Sequence, residues 1–489
     1  MSQGYLSQLG KGVKRVRVLL VQPGEGRALG LGHLAMVEPL GLEAVSGGLN
    51  GHNVRLLDLR VEQRLTEVLE EFRPEICGIS CSFTVDVYRA LDVARVIKAF
   101  DQGSPPYVVV GGHHASLNPV DFHDRAVDAI AIGEGERTFA ELAACLQQGG
   151  DPRSIQGLVL NTPSGQVRTG VRPLAVNLDS LPFPERALTK GYRKRYYLAG
   201  SWPLAVVETA RGCPKRCNFC SVWQFYRGEY RAKSPTRVAD EIEAVSEPYV
   251  LFSDDNFLAD PERAKQIALA LIQRGLKRRY TFQARSDSIV AHPGLVSLWR
   301  QIGLESVFIG FEKISEDALA LVNKDNSVAN NEAALELLHS QGISVTGSFI
   351  VDPACEKAEF EAIGHYVKSV GVDWPSFTVL TPLPGTMLYR QLRARLLTED
   401  HEMYDLLHAV LPTRVPLPGF YSRLAALYRT SYSRSRLLRE QVRAQWRRLA
   451  GGGFPFSHLL RLLRAARTLT DANCYLKGHR QPCLRRGAG

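Results

Sequence analysis

The hydrophobic pattern divides the chain into two stretches in which strands and helices alternate. Val16–Gln22 (VRVLLVQ) is a nearly unbroken apolar run stopped by Pro23-Gly24, as expected of a parallel strand buried on both faces. Helical spacing follows over Leu40–Asn50, then a second strand at Asn53–Leu59 after the turn Gly51-His52, an amphipathic stretch at Leu65–Phe72 and a third strand at Ile76–Ser80. Val85–Phe100 has a helical period, Tyr107–Val110 and Ala126–Ile132 read as two more strands, and Glu136–Gln147 as a helix. This alternation predicts an α/β fold beginning with a doubly wound, Rossmann-like domain over 1–150, with ligands at the carboxyl ends of a parallel sheet.

Periodicity is lost over 151–200, where Gly, Pro and Arg are frequent and Leu181-Pro182-Phe183-Pro184 predicts a linker. It resumes with strands at Ala205–Thr209, Tyr249–Ser253, Tyr280–Ala284, Ser306–Gly310, Val345–Val351 and Ser376–Thr381. Helical patterns separate them at Pro235–Val245, Glu262–Arg274, Val296–Gln301, Ala329–Gln341 and Glu356–Val370. Six such units within 201–390 predict a partial (β/α)6 barrel, short of the roughly 250 residues of an eightfold one. After Leu383-Pro384-Gly385, residues 391–489 read as a basic, mainly helical region.

Composition sharpens this picture in two places. With 45% apolar and 22% charged residues the chain is an ordinary folded protein, which excludes general disorder. No run reaches the ~18 apolar residues of a membrane span and Met1–Lys14 lacks the apolar core of a secretion signal, so the expected location is the reducing cytoplasm. The net charge of +10 is uneven: Arg390–Gly489 holds 19 Lys and Arg against 6 Asp and Glu, leaving 41 against 44 elsewhere. The basicity therefore belongs to the tail and not to the chemistry of the body.

Nine cysteines in a reducing compartment are ligands, reactive thiols or core residues rather than a disulfide framework. Three of them, Cys213, Cys217 and Cys220, fall within eight residues directly after a strand, in Arg-Gly-Cys-Pro-Lys-Arg-Cys-Asn-Phe-Cys. Thiolates this crowded suit an iron–sulfur cluster or zinc. Zinc wants a fourth Cys or His nearby, and the next fifty residues contain neither. Three ligands on a cubane leave one iron open; a turn with three buried cysteines is the structural alternative.

The Cys-x-x-x-Cys-x-x-Cys loop, with Phe219 before its last cysteine, resembles the signature of the radical S-adenosylmethionine (SAM) superfamily. The resemblance implies that Cys213, Cys217 and Cys220 hold a catalytic [4Fe–4S] cluster whose open iron takes SAM. An electron from it then cleaves SAM to methionine and a 5′-deoxyadenosyl radical. Phe252-Ser253-Asp254-Asp255-Asn256-Phe257, Gln283-Ala284-Arg285, Ile309-Gly310-Phe311-Glu312 and Thr381–Thr386 are also similar to the superfamily. They imply SAM-binding roles for Asp254, Asp255, Arg285 and Glu312, with helix capping as the alternative for the acids.

Upstream, Val108–Ser116 (VVVGGHHAS) and Ile132–Glu136 (IGEGE) end strands in glycines, which let backbone approach a bulky ligand or simply make tight turns. Before a radical SAM core they resemble a cobalamin-binding domain. That implies cobalamin contacts from Ser80, Ser82, Gly111, Gly112, Gly133 and Glu134. The Asp-x-His-x-x-Gly motif of many such domains is missing after the first strand, where Pro23-Gly24-Glu25-Gly26-Arg27 stands, so the lower cobalt ligand is unspecified. His113 and His114 read as hydrogen-bonded loop histidines, and His33 is a weaker cobalt ligand still.

The combination implies a C-methyltransferase that passes a methyl group from methylcobalamin to a substrate radical, spending two SAM. Val37–Glu43 and Cys220–Arg231 resemble the hopanoid C-3 methylases, which act on ring A of pentacyclic triterpenoids. Trp223, Phe225, Tyr226 and Tyr230 wall an apolar cavity or belong to the core. Ser457–Thr470 has leucines at 459, 460, 462 and 463 with Arg461, Arg464 and Arg467. It is a basic amphipathic helix that either lies peripherally on an anionic membrane or packs on the core. An electron donor such as flavodoxin or ferredoxin is implied. The alternatives are an oxidative cyclase acting on a tetrapyrrole, a tRNA-modifying enzyme and a metal-stabilised binding module; no RNA-binding module accompanies the basic charge.

Overall fold

Two parallel sheets follow one another in the computed structural model, which describes residues 15–24, 33–101, 103–432 and 456–480. The first contains β1 (Arg17–Gln22), β2 (Asn53–Asp58), β3 (Ile76–Ser80), β4 (Tyr107–Gly111), β5 (Ala129–Ala131), β6 (Leu158–Thr162) and β7 (Gly165–Arg168). Its order is β2-β1-β3-β4-β5-β6-β7, parallel as far as β5, after which an antiparallel hairpin completes it. Leu19, Val21, Cys77, Ile79, Val108 and Val110 face helix Val87–Ala99, while Val18, Leu20 and Val109 face Phe139 and Leu142 of helix Gly135–Gln147. In this order the ligand crevice lies outside the carboxyl ends of β1 and β3. Glu25, Gly26 and Arg27, which follow β1 in sequence, lie outside the described residues.

Residues 151–200 are not the plain linker their sequence predicts. β6 and β7 extend the first sheet, and Glu185–Arg195 forms a seam described below. Leu158-Val159-Leu160 is too short an apolar run to stand out, and β7 is half exposed at the sheet edge.

The second sheet runs in sequence order, all parallel: β8 (Leu204–Val207), β9 (Tyr249–Phe252), β10 (Arg279–Gln283), β11 (Leu304–Glu312), β12 (Ser344–Val351) and β13 (Trp374–Val379). Helices Pro235–Glu243 and Pro261–Gln273 begin with proline after Ser234 and Asp260, whose side chains cap the amides of Arg237 and Arg263. Phe252, Phe257, Tyr280 and Phe282 pack around buried Trp299. β8 and β13 do not pair, so both are edges of a partial barrel.

Side chains satisfy both edges. On β13, the amide of Phe377 donates to the Tyr428 hydroxyl (3.1 Å), which donates back to the Phe377 carbonyl (2.7 Å). Tyr432 donates to the carbonyl of Pro375 (2.8 Å), and the amide of Val379 bonds the carbonyl of Leu406 (2.7 Å). On β8, the amide of Val206 donates to the Glu38 carboxylate and its carbonyl accepts from Arg186 (2.7 Å). Unpaired strand edges are liabilities, and here each has a chemical cap.

The cap on β8 belongs to a buried ionic seam that joins the two domains. Glu38 and Glu43 of the first domain, Arg186 and Arg193 of the connecting segment, and Glu241, Glu247 and Lys233 of the barrel side form one network. Four carboxylates meet three cations in it. Glu43 takes the hydroxyl hydrogen bond of Thr189 (2.5 Å), and burial together with Glu38 pushes it up to about 8.

The tail is more structural than its charge implies. Helix Leu417–Ser431 buries Phe420, Tyr421, Leu424 and Tyr428 against the barrel core, while most of 396–416 is not helical. In helix Phe456–Thr470, Ala465 and Leu469 are buried and Arg461 donates to Tyr197 (3.2 Å). Leu460, Leu463, Arg464 and Arg467 face solvent; the side chains of 457–459 lie outside the described residues.

Candidate functional site

The three cysteines sit on a loop whose base is pinched shut. Ala210–Arg211 pairs with Arg231–Ala232, and Gly212 (φ +89°) lies where a Cβ would meet the carbonyl oxygen of Glu229 at 2.0 Å, which only glycine permits. The loop is then tied from outside. Asn218 donates to the carbonyls of Val322 (3.2 Å) and Leu321 (2.9 Å), Trp223 donates to that of Cys217 (3.0 Å), and Asn323 to that of Arg216 (2.7 Å).

Cys217 is buried, and Cys213 and Cys220 are half-buried. Burial raises all three thiols, Cys220 to about 12, while Lys324 and Arg285 pull Cys213 and Cys217 back down. A metal charge at the loop would offset that cost and favour the thiolates. The thiols lie within electrostatic reach of one another, but among the described residues no three such ligands converge where a single ion could sit. Three thiols on one short loop are a soft donor set that suits an iron–sulfur cluster.

The expected SAM-binding residues divide sharply. Asp255, at the end of β9, is open to solvent yet walled by protein. Burial, then Asp254 and Glu208, push it up to about 7, and among the described residues its carboxylate bonds only its own amide. It acts electrostatically on Cys213 and Cys220, so an unpartnered carboxylate faces the cluster loop. Asp254 is committed: its carboxylate accepts the amide (2.6 Å) and hydroxyl of Thr209, holding the chain just before the loop. Burial raises it to about 6 against those bonds. Arg285 grips Asp287 (2.7 Å) and the carbonyls of Lys324 (3.0 Å) and Asp325 (2.5 Å), so its guanidinium is spoken for. Glu312 pairs with Lys324 (3.0 Å) from a β-bulge, at a positive φ of 65° unusual for glutamate.

The expected cobalamin-facing residues divide likewise. Gly133 (φ +79°) has nothing within 4 Å of where a Cβ would stand, so it borders open space, and Gly111 meets only Ala131. Ser80 is half-buried at the end of β3 and Ser82 is exposed on the same rim. Gly112 (φ +118°) is needed by the fold, because a Cβ there would strike the backbone of Cys81 at 2.7 Å. Glu134 binds the protein: it accepts from Arg211 (2.9 Å), Arg231 (2.8 Å) and the amide of Ala175 (2.7 Å). It thereby nails the base of the cysteine loop to the first domain.

A second tie between these parts is His113, whose Nε2 lies 2.8 Å from the Ser221 hydroxyl and whose ring stacks on Phe225 at 4.6 Å. Burial lowers it to about 4, so it is neutral at physiological pH. His114, expected to be a hydrogen-bonded loop histidine, is hydrogen-bonded but lies in the short helix His113–Leu117, set between Thr84 (3.1 Å) and Asp121 (2.9 Å). Of the aromatic run, Phe225 and Tyr226 line this seam and Trp223 props the loop, so that part of the run is structural. Sequence reasoning passed over Arg211, Arg231, Glu208 and Lys324; only the position of Arg211 directly before the cysteines could have drawn attention to it.

The carboxyl edge of the first sheet thus meets the cysteine loop across His113 and Glu134, with an open carboxylate on one side and an open glycine rim on the other. Comparison with known proteins identifies the two domains. A B12 binding domain model matches residues 34–143 and a radical SAM superfamily model residues 207–360. The chain is 32% identical over 456 residues, 91% of its length and 86% of the relative's, to the hopanoid C-3 methylase of Methylococcus capsulatus. It is 30% identical to an uncharacterised methyltransferase of Pyrococcus horikoshii, over 82% of this chain and 88% of the other. The solved cobalamin-dependent SAM radical enzyme OxsB, with aqua-cobalamin and SAM bound, shares the fold at a TM-score of 0.68 and 18% identity, covering 85% of this chain and 66% of that one.

Proposed function

The chain belongs to the cobalamin-binding radical SAM methyltransferases, and from that premise we propose that it methylates ring A of a hopanoid, at C-3, or a closely similar polycyclic lipid. The observation that carries the substrate is the 32% identity to a hopanoid C-3 methylase, which extends over 91% of the chain. Cys213, Cys217 and Cys220 would hold the [4Fe–4S] cluster. Asp255, the one carboxylate of the mouth left without a partner, would take the amino end of SAM. Gly133, Gly111, Ser80 and Ser82 would border cobalamin. When bound, the cluster and SAM supply hydrogen-atom abstraction and cobalamin supplies the methyl group.

The rest of the machinery is positioning. Glu134, Arg211 and Arg231 hold the base of the loop, Asp254 holds the turn into it, and Arg285 with Lys324 lends positive charge beside the thiolates. His113 couples the first domain to the residue after Cys220, and being neutral it adds no charge at that junction. For a lipid substrate we place the protein in the cytoplasm with helix Phe456–Thr470 at the membrane face; exposed Leu460 and Leu463 beside Arg464 and Arg467 support that contact. Among the described residues no helix is long and apolar enough to cross a membrane.

The test is an anaerobic reaction of the reconstituted protein with methyl-labelled SAM, cobalamin, reductant and a desmethyl hopanoid, read by mass spectrometry. Labelled hopanoid with 5′-deoxyadenosine and S-adenosylhomocysteine is expected. 5′-Deoxyadenosine with no methylated lipid would reject the substrate.

A further inference from the structure

A cluster that must be reduced from outside needs a place where a donor can approach it, and the outer side of the cysteine loop has the composition of such a place. Asn218, between Cys217 and Cys220, is flanked by two exposed apolar side chains. Leu321, 79% exposed, lies where Asn218 bonds its carbonyl, and Met387, 37% exposed, precedes Leu388, whose amide bonds the Asn218 carbonyl (3.0 Å). Around them stand exposed arginines. Arg216, itself on the loop between Cys213 and Cys217, lies over the Trp223 ring at 5.9 Å, and Arg390 reaches Gln224 (2.9 Å). Arg227 donates to the carbonyl of Arg172 (3.0 Å) from the far end of the same short helix, Val222–Phe225. The acids nearby are largely neutralised: Asp325 by Lys215 at 2.5 Å and Glu229 by Arg231 at 3.8 Å. Glu316 and Asp317, in the first turn of the helix that ends at Leu321, are the acids that remain on this side.

We propose that this surface, apolar at Leu321 and Met387 and rimmed by Arg216, Arg227 and Arg390, docks a small acidic one-electron carrier protein. An apolar centre with a charged rim is the anatomy of a transient protein interface, and a cationic rim steers an acidic partner onto the loop. One electron leaves the carrier, which is oxidised, and arrives at the cluster, which is reduced; no bond or proton changes hands. The proposal rests on the family's cluster and is independent of the hopanoid reading, since cluster reduction is measured without any lipid.

The experiment follows cluster reduction by anaerobic stopped-flow absorbance in the full-length, cluster-loaded protein, with reduced flavodoxin as the carrier and titanium(III) citrate as a small reductant. The flavodoxin rate is expected to fall about tenfold between roughly 50 and 300 mM salt. Arg227→Glu with Arg390→Glu should lower it by about tenfold again, and Leu321→Asp several-fold, while the citrate rate stays at the parental value. Variants are compared at equal iron content; Arg390→Gln, with roughly half the loss in log rate, serves if the reversals fold poorly. An unchanged flavodoxin rate in the charge reversals overturns the proposal. So does an equal loss with citrate, which would place the lesion in the cluster rather than at a docking surface.

Discussion

The first domain and the barrel meet in two places, and the two meetings treat charge in opposite ways. At the seam, Glu38, Glu43, Glu241 and Glu247 are interleaved with Arg186, Arg193 and Lys233, and even the edge of β8 is drawn into the network. At the mouth, Asp255 faces the cysteine loop with no cation, and Gly133 faces space with no side chain. The seam spends its polar groups on the fold; the mouth leaves them over. A side chain already bonded within the protein has less left to offer a ligand: Asp254, Arg285 and Glu134 are so bonded, and Asp255 is not.

The largest effect that sharpens this contrast comes from the loop itself. Cys217→Ala should abolish cluster incorporation and SAM cleavage, measured by iron content and 5′-deoxyadenosine, while far-ultraviolet circular dichroism is unchanged; retained cleavage would break the assignment. Next comes the seam. Arg186→Ala leaves Glu38 with Arg193 alone and Glu241 with Lys233 alone in a buried network of four carboxylates, and the loss in denaturant-monitored stability should be about 3–5 kcal/mol. Adjacent aspartates then divide the two behaviours. Asp254→Asn should cost about 1–3 kcal/mol by disturbing the Thr209 anchor. Asp255→Asn should leave stability within about 0.5 kcal/mol and weaken SAM binding about tenfold by calorimetry. The opposite pattern would exchange their roles.

The smallest effect is a slope. Glu43, raised to about 8 against an ordinary 4.5, keeps a proton in the folded state that the unfolded chain releases. Its contribution to stability therefore falls as pH rises from about 4.5 through 8. With four carboxylates against three cations, that proton is what brings the seam to neutrality. Glu43→Gln, which cannot ionise, should flatten the melting temperature across this window relative to the parent; an unaltered slope would place the titrating group elsewhere.

Much of the fold was legible because parallel strands buried on both faces announce themselves. Ile76–Ser80 is the strand its pattern predicts, and Pro235 and Pro261 mark helix starts within a residue. The hairpin of β6 and β7 was not legible, being short and half exposed. In the site, the cysteine loop was legible because its chemistry is local. The ligand set was legible only by class: Asp254 and Asp255 are neighbours in sequence, but their environments are decided by Thr209 and by the lack of any cation, both set by tertiary structure. Val37–Glu43 and Cys220–Arg231, the stretches that resemble hopanoid methylases, serve here in the seam and the loop support, so they speak for a shared scaffold before a shared substrate.

The hydroxyls of Tyr428 and Tyr432 have a consequence for anyone who cuts the gene. A fragment ending at 390 would retain every strand of the barrel and all three cysteines, yet would lay bare the backbone of Pro375 and Phe377 along an edge that Tyr428 and Tyr432 otherwise occupy. Such an edge is a template for recruiting strands from neighbouring molecules, and the product would be inclusion bodies rather than a minimal catalyst. The smallest transplantable unit ends beyond Tyr432, with those two phenols standing in for a seventh strand.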